Sequence, residues 1–293
     1  MSFADRVRQE LSAVIPKHNC CRRALTEGLL LGATLGEDGS VLVRYGHEDT
    51  ATLAQELFSK QYGKQPVVKK WGRCGHSYWD LSLSVPACRR FVRSLDDADA
   101  DGAVFHFACE SCQGSFLRGA FLATATVNDP HKAFHIEFKL LPQRVGLFAS
   151  FLEELGYPPK EIARADASGL YYKNGSAVED LITIMGAGHV LFEVINSRIE
   201  RDIRNNENRA TNCVARNIEK TIAAASKQIE SINRLVETGK LMGLPAGLQE
   251  TARLRYENPD ATLDELVSLH SPSISRSGLN HRLKKIVDAA EEL

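Results

Sequence analysis

Four cations and several hydrogen-bonding side chains crowd one short stretch near the C-terminus. Arg276, Arg282, Lys284 and Lys285 lie between Glu265 and Asp288, and no acid falls between those two. Ser275, Ser277, Asn280 and His281 are interspersed with them, and His270 sits in the same window. Guanidinium and ammonium groups hold phosphates, while Arg and Asn make paired hydrogen bonds to the edges of guanine and adenine. Arg276, Ser277 and Asn280 are therefore the expected base readers. His281, Arg282, Lys284 and Lys285 are expected on phosphates or on further bases. The competing account is a solvated basic helix end, which the C-terminal dipole also favours.

Other reactive groups point less far. Cys109-Glu-Ser-Cys112 has metal-ligand spacing, and Cys20-Cys21 lies near the matching place of an earlier segment. A tetrathiolate zinc site ordinarily draws on two spaced pairs, and adjacent cysteines make a poor second pair. Buried thiols are the favoured account, and neither a metal nor a cofactor is expected. His131 and His135 straddle a predicted turn and strand start, so a shared ion is not expected. There is no phosphate-cradling glycine loop and no nucleophile elbow.

The elements that would present the cations are helices. GLQETARLRYENP reads as a helix stopped at Asn258-Pro259. Thr262-Leu-Asp-Glu265 is a capping box opening LDELVSLH, and Ser271-Pro-Ser273 is a short turn. Ser275 is a plausible N-cap for RSGLNHRLKKIVDAAEE, whose Leu279, Leu283, Ile286 and Val287 recur at helical spacing. A helix, a tight turn and a second helix of this size make a helix-turn-helix, whose second helix enters the major groove. Upstream, Val214, Ile218, Ile222, Ala225, Ile229, Ile232 and Val236 form one apolar stripe on a helix expected from about Asn205 to Gly239. Such a helix suits a stalk, packing along its own neighbours, or self-association into a homo-oligomer. Arg198, Arg201, Arg204 and Arg209 form a second basic run, for which acids at Glu200, Asp202 and Glu207 favour an ordinary charged face.

The first two thirds contain an internal repeat. CRRALTEGLLLGATLGED begins at Cys21 and CQGSFLRGAFLATATVND at Cys112, which pairs Gly28 with Gly119, Leu31 with Leu122 and Asp38 with Asp129. Each copy is followed by the order strand, helix, strand, strand, helix. The first half supplies VLVRY, DTATLAQELFSKQYG, PVVKKW, SYWDLSLS and PACRRFVRSL. The second supplies AFHIEFKLL, PQRVGLFASFLEELG, EIARAD, GLYYK and SAVEDLITIMG. That order predicts an α+β fold with pseudo-twofold symmetry. Gly28, Gly32 and Ala33, matched by Gly119, Ala120 and Ala123, would let two helices approach backbone to backbone at the seam.

The repeated segments resemble degenerate copies of the LAGLIDADG helices of homing endonucleases. Together with RNNENRATNC and SISRSGLNHRLKKI, they make the whole chain similar to the WhiA family of bacterial sporulation and cell-division regulators. The C-terminal helices resemble the fourth region of sigma factors. In LAGLIDADG nucleases each motif helix ends in an acid that holds a divalent metal, and hard oxygen ligands are what metal-assisted phosphodiester cleavage requires. Alignment on Gly28 and Gly119 puts Ala33 and Thr124 at those places, and neither supplies a carboxylate. Asp38 and Asp129, five residues on, are the remaining acids, but Asp before Gly or Pro is an ordinary turn residue.

The expected organisation is a LAGLIDADG-like domain over 1–203 (repeats about 20–95 and 111–187), a linking helix over 204–240 and an all-α helix-turn-helix domain over 241–293. A net charge of −1, from 36 basic and 37 acidic residues, excludes a uniformly basic nucleic-acid coat, so any such surface is local. Residues 1–200 alone carry 22 basic and 24 acidic side chains, a net of −2. Seven unevenly spaced cysteines and the absence of a long apolar run suit a soluble cytoplasmic, nucleoid-associated protein with reduced thiols. The expected activity is transcription control without nuclease chemistry, linked by the resemblance to sporulation, cell division or chromosome segregation. Expected partners are double-stranded DNA and another transcription regulator or RNA polymerase, with no membrane. A protein-interaction scaffold and a residual metal-dependent endonuclease are the alternatives.

Overall fold

A computed structural model describes residues 1–73, 75–97, 105, 107–163 and 168–293. They form two compact units, Met1–Arg201 and Asp202–Leu293. The first opens with α1 (Phe3–Ala13), started by a capping box in which Ser2 and Asp5 bond each other's backbone N–H. The first repeat then supplies α2 (Asn19–Leu29), β1 (Thr34–Leu35), β2 (Val41–Tyr45), α3 (Glu48–Tyr62), β3 (Val67–Arg73), β4 (His76–Leu83) and α4 (Pro86–Ser94). The second supplies α5 (Glu110–Thr124), β5 (Ala125–Val127), β6 (Ile136–Leu140), α6 (Val145–Glu154), β7 (Lys160–Ala163), β8 (Ser168–Tyr172) and α7 (Gly175–Met185). The last part of the predicted EIARAD strand lies outside the described residues.

The two halves repeat their topology as well as their order. One four-stranded antiparallel sheet runs β1-β2-β4-β3 and the other runs β5-β6-β8-β7. Alternation decides which face is covered. Val41, Val43 and Tyr45 of β2 are buried while Leu42 and Arg44 between them are exposed. The core between the sheets and helices is largely aliphatic and includes a group of aromatic rings, with Phe116, Phe148 and Phe151 in mutual contact.

The seam is the crossing of α2 and α5, and it is as close as backbones allow. A Cβ on Gly28 would sit 2.8 Å from the Ala120 amide nitrogen and closer still to the Phe116 carbonyl. A Cβ on Gly119 would sit 2.8 Å from the Leu29 amide nitrogen and closer still to the Leu25 carbonyl. The offset that pairs Gly28 with Gly119 also pairs Leu25 with Phe116 and Leu29 with Ala120, so the two steric limits are images of one another. Gly32 continues the contact, where a Cβ would meet Thr124 at 3.3 Å.

The long helix α8 (Gly188–Glu237) begins well before the expected Asn205. The added turns hold no Pro and bury Val190, Val194 and Ser197 at helical spacing against the first unit's own core, so the helix is already formed where the polar run RNNENR begins. Of the predicted stripe, Ile232 is buried, whereas Val214, Ile218 and Ile222 are 58%, 53% and 61% exposed and so do not pack against the chain's own neighbours. Gly239 in the left-handed region (φ 70°) stops the helical path. The second unit continues with α9 (Ala246–Glu257), α10 (Leu263–Leu269) and α11 (Arg276–Glu291). Among the described residues no helix is long and apolar enough to cross a membrane.

Because the seam has no room for a methyl group, Gly119→Ala must push two backbones apart, and urea unfolding should register a loss of at least about 3 kcal/mol, at the upper end for overpacking. Gly146→Ala, where a Cβ meets nothing within 4 Å, should be neutral or stabilising by up to about 1 kcal/mol.

Candidate nucleic-acid interface

The helix-turn-helix is built from polar fixtures as much as from its apolar core. Thr262 and Glu265 close the capping box that starts α10, with the Glu265 carboxylate accepting from the Thr262 amide at 2.7 Å. Those bonds hold the Glu265 pKa below its ordinary value. Arg255 is buried and donates from Nη1 to the Ala261 carbonyl (2.6 Å) and from Nε to Gln228 (2.9 Å), which ties α9 to α8 and to the following loop. His270, noted in the sequence only as lying in the same window as the cations, is 5% exposed. Its ring bridges the Leu266 carbonyl and the Thr251 hydroxyl, at 2.7 and 3.0 Å. It belongs to the polar core that holds the turn.

Ser275 caps α11 as expected, accepting from the Gly278 amide at 3.0 Å. Leu279, Leu283, Ile286 and Ala290 are buried, and Val287 is half-buried. The complementary face carries Arg276, Ser277, Asn280, His281, Lys284 and Lys285, all exposed. Positions 276, 280 and 284 form one row and 277, 281 and 285 the next, so six of the eight predicted DNA contacts share one stripe. Ser275 lies at its N-terminal edge. Arg276 Nη1 stands 3.2 Å from the Asp264 carboxylate, with both side chains about two thirds exposed (66% and 68%). A pair that open contributes little, so Arg276 can exchange Asp264 for another acceptor. Arg282 differs: it is half-buried and donates to the Gly247 carbonyl at 3.2 Å, bracing α11 against the start of α9.

The other basic run divides in two. Arg198 pairs with Glu179 at 2.9 Å, and Arg201 lies over the Phe134 ring and donates to the Pro130 carbonyl at 3.1 Å. Both anchor the start of α8. Arg204 and Arg209 are exposed on it.

At the positions where the LAGLIDADG resemblance places acids, arginines approach instead. Ala33 is fully buried, and Thr124 spends its hydroxyl on the Ala120 carbonyl (2.8 Å). Arg144, with no exposed surface, donates from Nη1 to the carbonyls of Leu31 (2.7 Å) and Ala33 (2.6 Å) and pairs with Asp96 through Nε (2.7 Å). Arg8 donates to the Ala125 carbonyl at 2.6 Å, beside Thr124. Burial lowers the Arg8 pKa, yet guanidinium stays charged in proteins. A buried cation therefore stands at the end of each motif, where the nuclease template needs an acid.

Asp38 and Asp129 are turn residues. Asp38 accepts from the Ser40 amide (2.9 Å) and hydroxyl (2.7 Å), which keeps its pKa low. Asp129 accepts from the His131 amide at 2.9 Å. Ligand atoms of Asp129, His131 and Glu193 come within 4.8 Å of one another, but Glu193 is already held by both oxygens to Arg6 at 2.6 and 2.7 Å. His135 turns away to Glu137 (3.3 Å), so the two histidines serve different partners.

Two family models match this chain: the WhiA LAGLIDADG-like domain over residues 113–204 and the WhiA C-terminal HTH domain over residues 208–290. The chain is 30% identical over 313 residues to the probable cell division protein WhiA of Caldicellulosiruptor bescii, covering 100% of this chain and 96% of that one. It is 39% identical over 314 residues to the protein of the same name from Alkaliphilus oremlandii, covering 100% and 98%. The crystal structure of full-length DUF199/WhiA from Thermotoga maritima shares the fold, with a TM-score of 0.58 at 20% identity over 100% of this chain and 99% of that one.

Removing the cap at the start of the exposed helix should be felt locally: Ser275→Ala is expected to cost about 1 kcal/mol. Native-state hydrogen exchange checks this, with faster exchange in the first turns of α11 and no change in α2.

Proposed function

The chain belongs to the WhiA family, and on that premise we propose that it is a sequence-reading DNA-binding regulator of transcription that serves cell division and does not cut DNA. The observation that carries this reading is the single exposed face of α11. A helix whose apolar row is fully used by its own domain, and whose opposite row holds Arg, Ser, Asn, His and Lys, is built to enter a major groove. Ser275, Arg276, Ser277 and Asn280, at its N-terminal end, would meet bases, and His281, Lys284 and Lys285 would follow the phosphates. Arg282 would position the helix through Gly247. The name of the relatives supports the process, and the family resemblance extends it to sporulation and chromosome segregation. Such work belongs in the cytoplasm, on the nucleoid, alongside RNA polymerase or another regulator.

The buried arginines support the absence of cleavage. A divalent cation needs hard anionic ligands, and at each motif end it would instead meet a guanidinium in a medium that screens poorly. Arg144 and Arg8 thus act against the residual-endonuclease alternative from the same places the acids have left.

Two experiments test the reading. Lys284→Ala and Lys285→Ala should each weaken binding to any duplex alike and lower the slope of log K against log salt by roughly one for each phosphate no longer neutralised. An unchanged slope in the double variant would remove α11 from the DNA. Supercoiled plasmid incubated with Mg²⁺ or Mn²⁺ should stay intact; metal-dependent nicking that Asp38→Ala/Asp129→Ala abolishes would make the protein a nuclease after all.

A further inference from the structure

The objection that adjacent cysteines cannot share a site fails in the folded chain. The Sγ atoms of Cys20 and Cys21 are 4.0 Å apart, and both converge on the pair from the second half. Cys21 lies 3.5 Å from Cys109 and 3.8 Å from Cys112, Cys20 lies 3.7 Å from Cys109, and Cys109 lies 3.5 Å from Cys112. All four sulfurs fall within 4.8 Å of one another. A zinc ion with bonds of about 2.3 Å to four sulfurs sets them at the corners of a tetrahedron with edges of about 3.8 Å. These spacings scatter around that edge and are far longer than the disulfide bond of about 2.05 Å.

We propose that Cys20, Cys21, Cys109 and Cys112 form a structural tetrathiolate zinc site that clamps the two halves of the first unit together. The placement explains an otherwise odd grouping. Cys21 and Cys112 are related by the repeat, but the other two are not: the counterparts of Cys20 and Cys109 are Ser111 and His18. Each half contributes one repeat-related thiol and one extra, which completes four ligands where symmetry alone would give two. Cys21 and Cys112 are buried while Cys20 is half-exposed and Cys109 exposed, so the cluster opens to solvent on one side. That is an entry path, and exposed thiols have no apolar reason to gather there.

Two helix N-termini meet at the cluster. Both pairs lie at the N-terminal ends of α2 and α5, with Cys109 itself the N-cap residue of α5. Arg118, largely buried, borders the same cavity as Cys21. Binding exchanges four thiol protons for one Zn²⁺, releases those protons to solvent and involves no redox change. The product carries two negative charges, which the helix ends and the guanidinium offset. Zinc fits better than harder ions because four soft thiolates in a tetrahedron are its common structural site.

Metal analysis of the full-length chain, purified without metal-affinity resin and with reductant present, tests this directly. One zinc per chain is expected, falling to background in Cys112→Ser and Cys21→Ser and unchanged in Cys88→Ser and Cys213→Ser. Because the buried variants can misfold, the wild-type chain stripped of metal provides a second measurement. Cobalt should then give thiolate charge-transfer and tetrahedral visible bands that saturate at one equivalent and vanish on adding zinc. Zinc at background in the wild type together with no cobalt bands, or iron recovered in place of zinc, would overturn the proposal.

Discussion

The contact of Gly28 with Gly119 is the constraint on which the first unit depends. Two helices that touch backbone to backbone must cross where neither has a side chain, and each glycine faces a carbonyl and an amide of the other helix. The crossing sets the positions of both sheets, because each half hangs its strands from its own motif helix; Tyr45, for example, donates its hydroxyl to the Leu29 carbonyl at 2.9 Å. It also decides what meets at each end of the pair. Seven residues before the glycines, about 10 Å along a helix, the cysteines converge. Beyond the glycines, the carbonyls of Ala33 and Ala125 accept from the guanidinium groups of Arg144 and Arg8.

The second unit follows a different logic, in which polar groups position an apolar minimum. Its buried residues form two small clusters, one around Ile232, Leu235 and Ile286 and one around Leu254, Leu266 and Leu279. Arg255, His270 and the two caps supply the remaining constraints, each satisfying backbone carbonyls or amides that short helices leave open. The result spends the apolar row of α11 internally and leaves its polar row exposed, with only the open Arg276–Asp264 pair on it. The two units thus differ in what they hold at their defining positions: the motif ends of the first carry Ala33 and Thr124 beside buried arginines, and the second presents the exposed polar face of α11.

Much of this was legible in the residues, for physical reasons that can be named. The offset of 91 residues between the motif copies exposed the pseudosymmetry because both copies must satisfy the same glycine crossing. Thr262, Glu265 and Ser275 announced their helices because capping is local chemistry. What stayed hidden depends on contacts distant in sequence. Arg144 reaches Leu31 and Ala33 from more than a hundred residues away, and nothing around it marks it as buried. The gathering of Cys20 and Cys21 with Cys109 and Cys112 was not visible because the two pairs lie on different helices. Arg282 read as a surface cation and His270 only as lying in the same window, yet Gly247 and Thr251 draw them inward. The family model for the LAGLIDADG-like domain covers only the second copy, and it is the matching strand order of the two sheets that identifies the first.

The claim that α11 reads sequence is tested most directly by selecting binding sites from a random duplex library with the full-length chain at near-physiological salt, beside Arg276→Ala and Asn280→Ala. The account predicts one enriched motif for the wild type and relaxed preference at separate positions in each variant, equivalent to about 1–3 kcal/mol for each base no longer read. No enrichment, or the same motif recovered with undiminished preference from both variants, would contradict it.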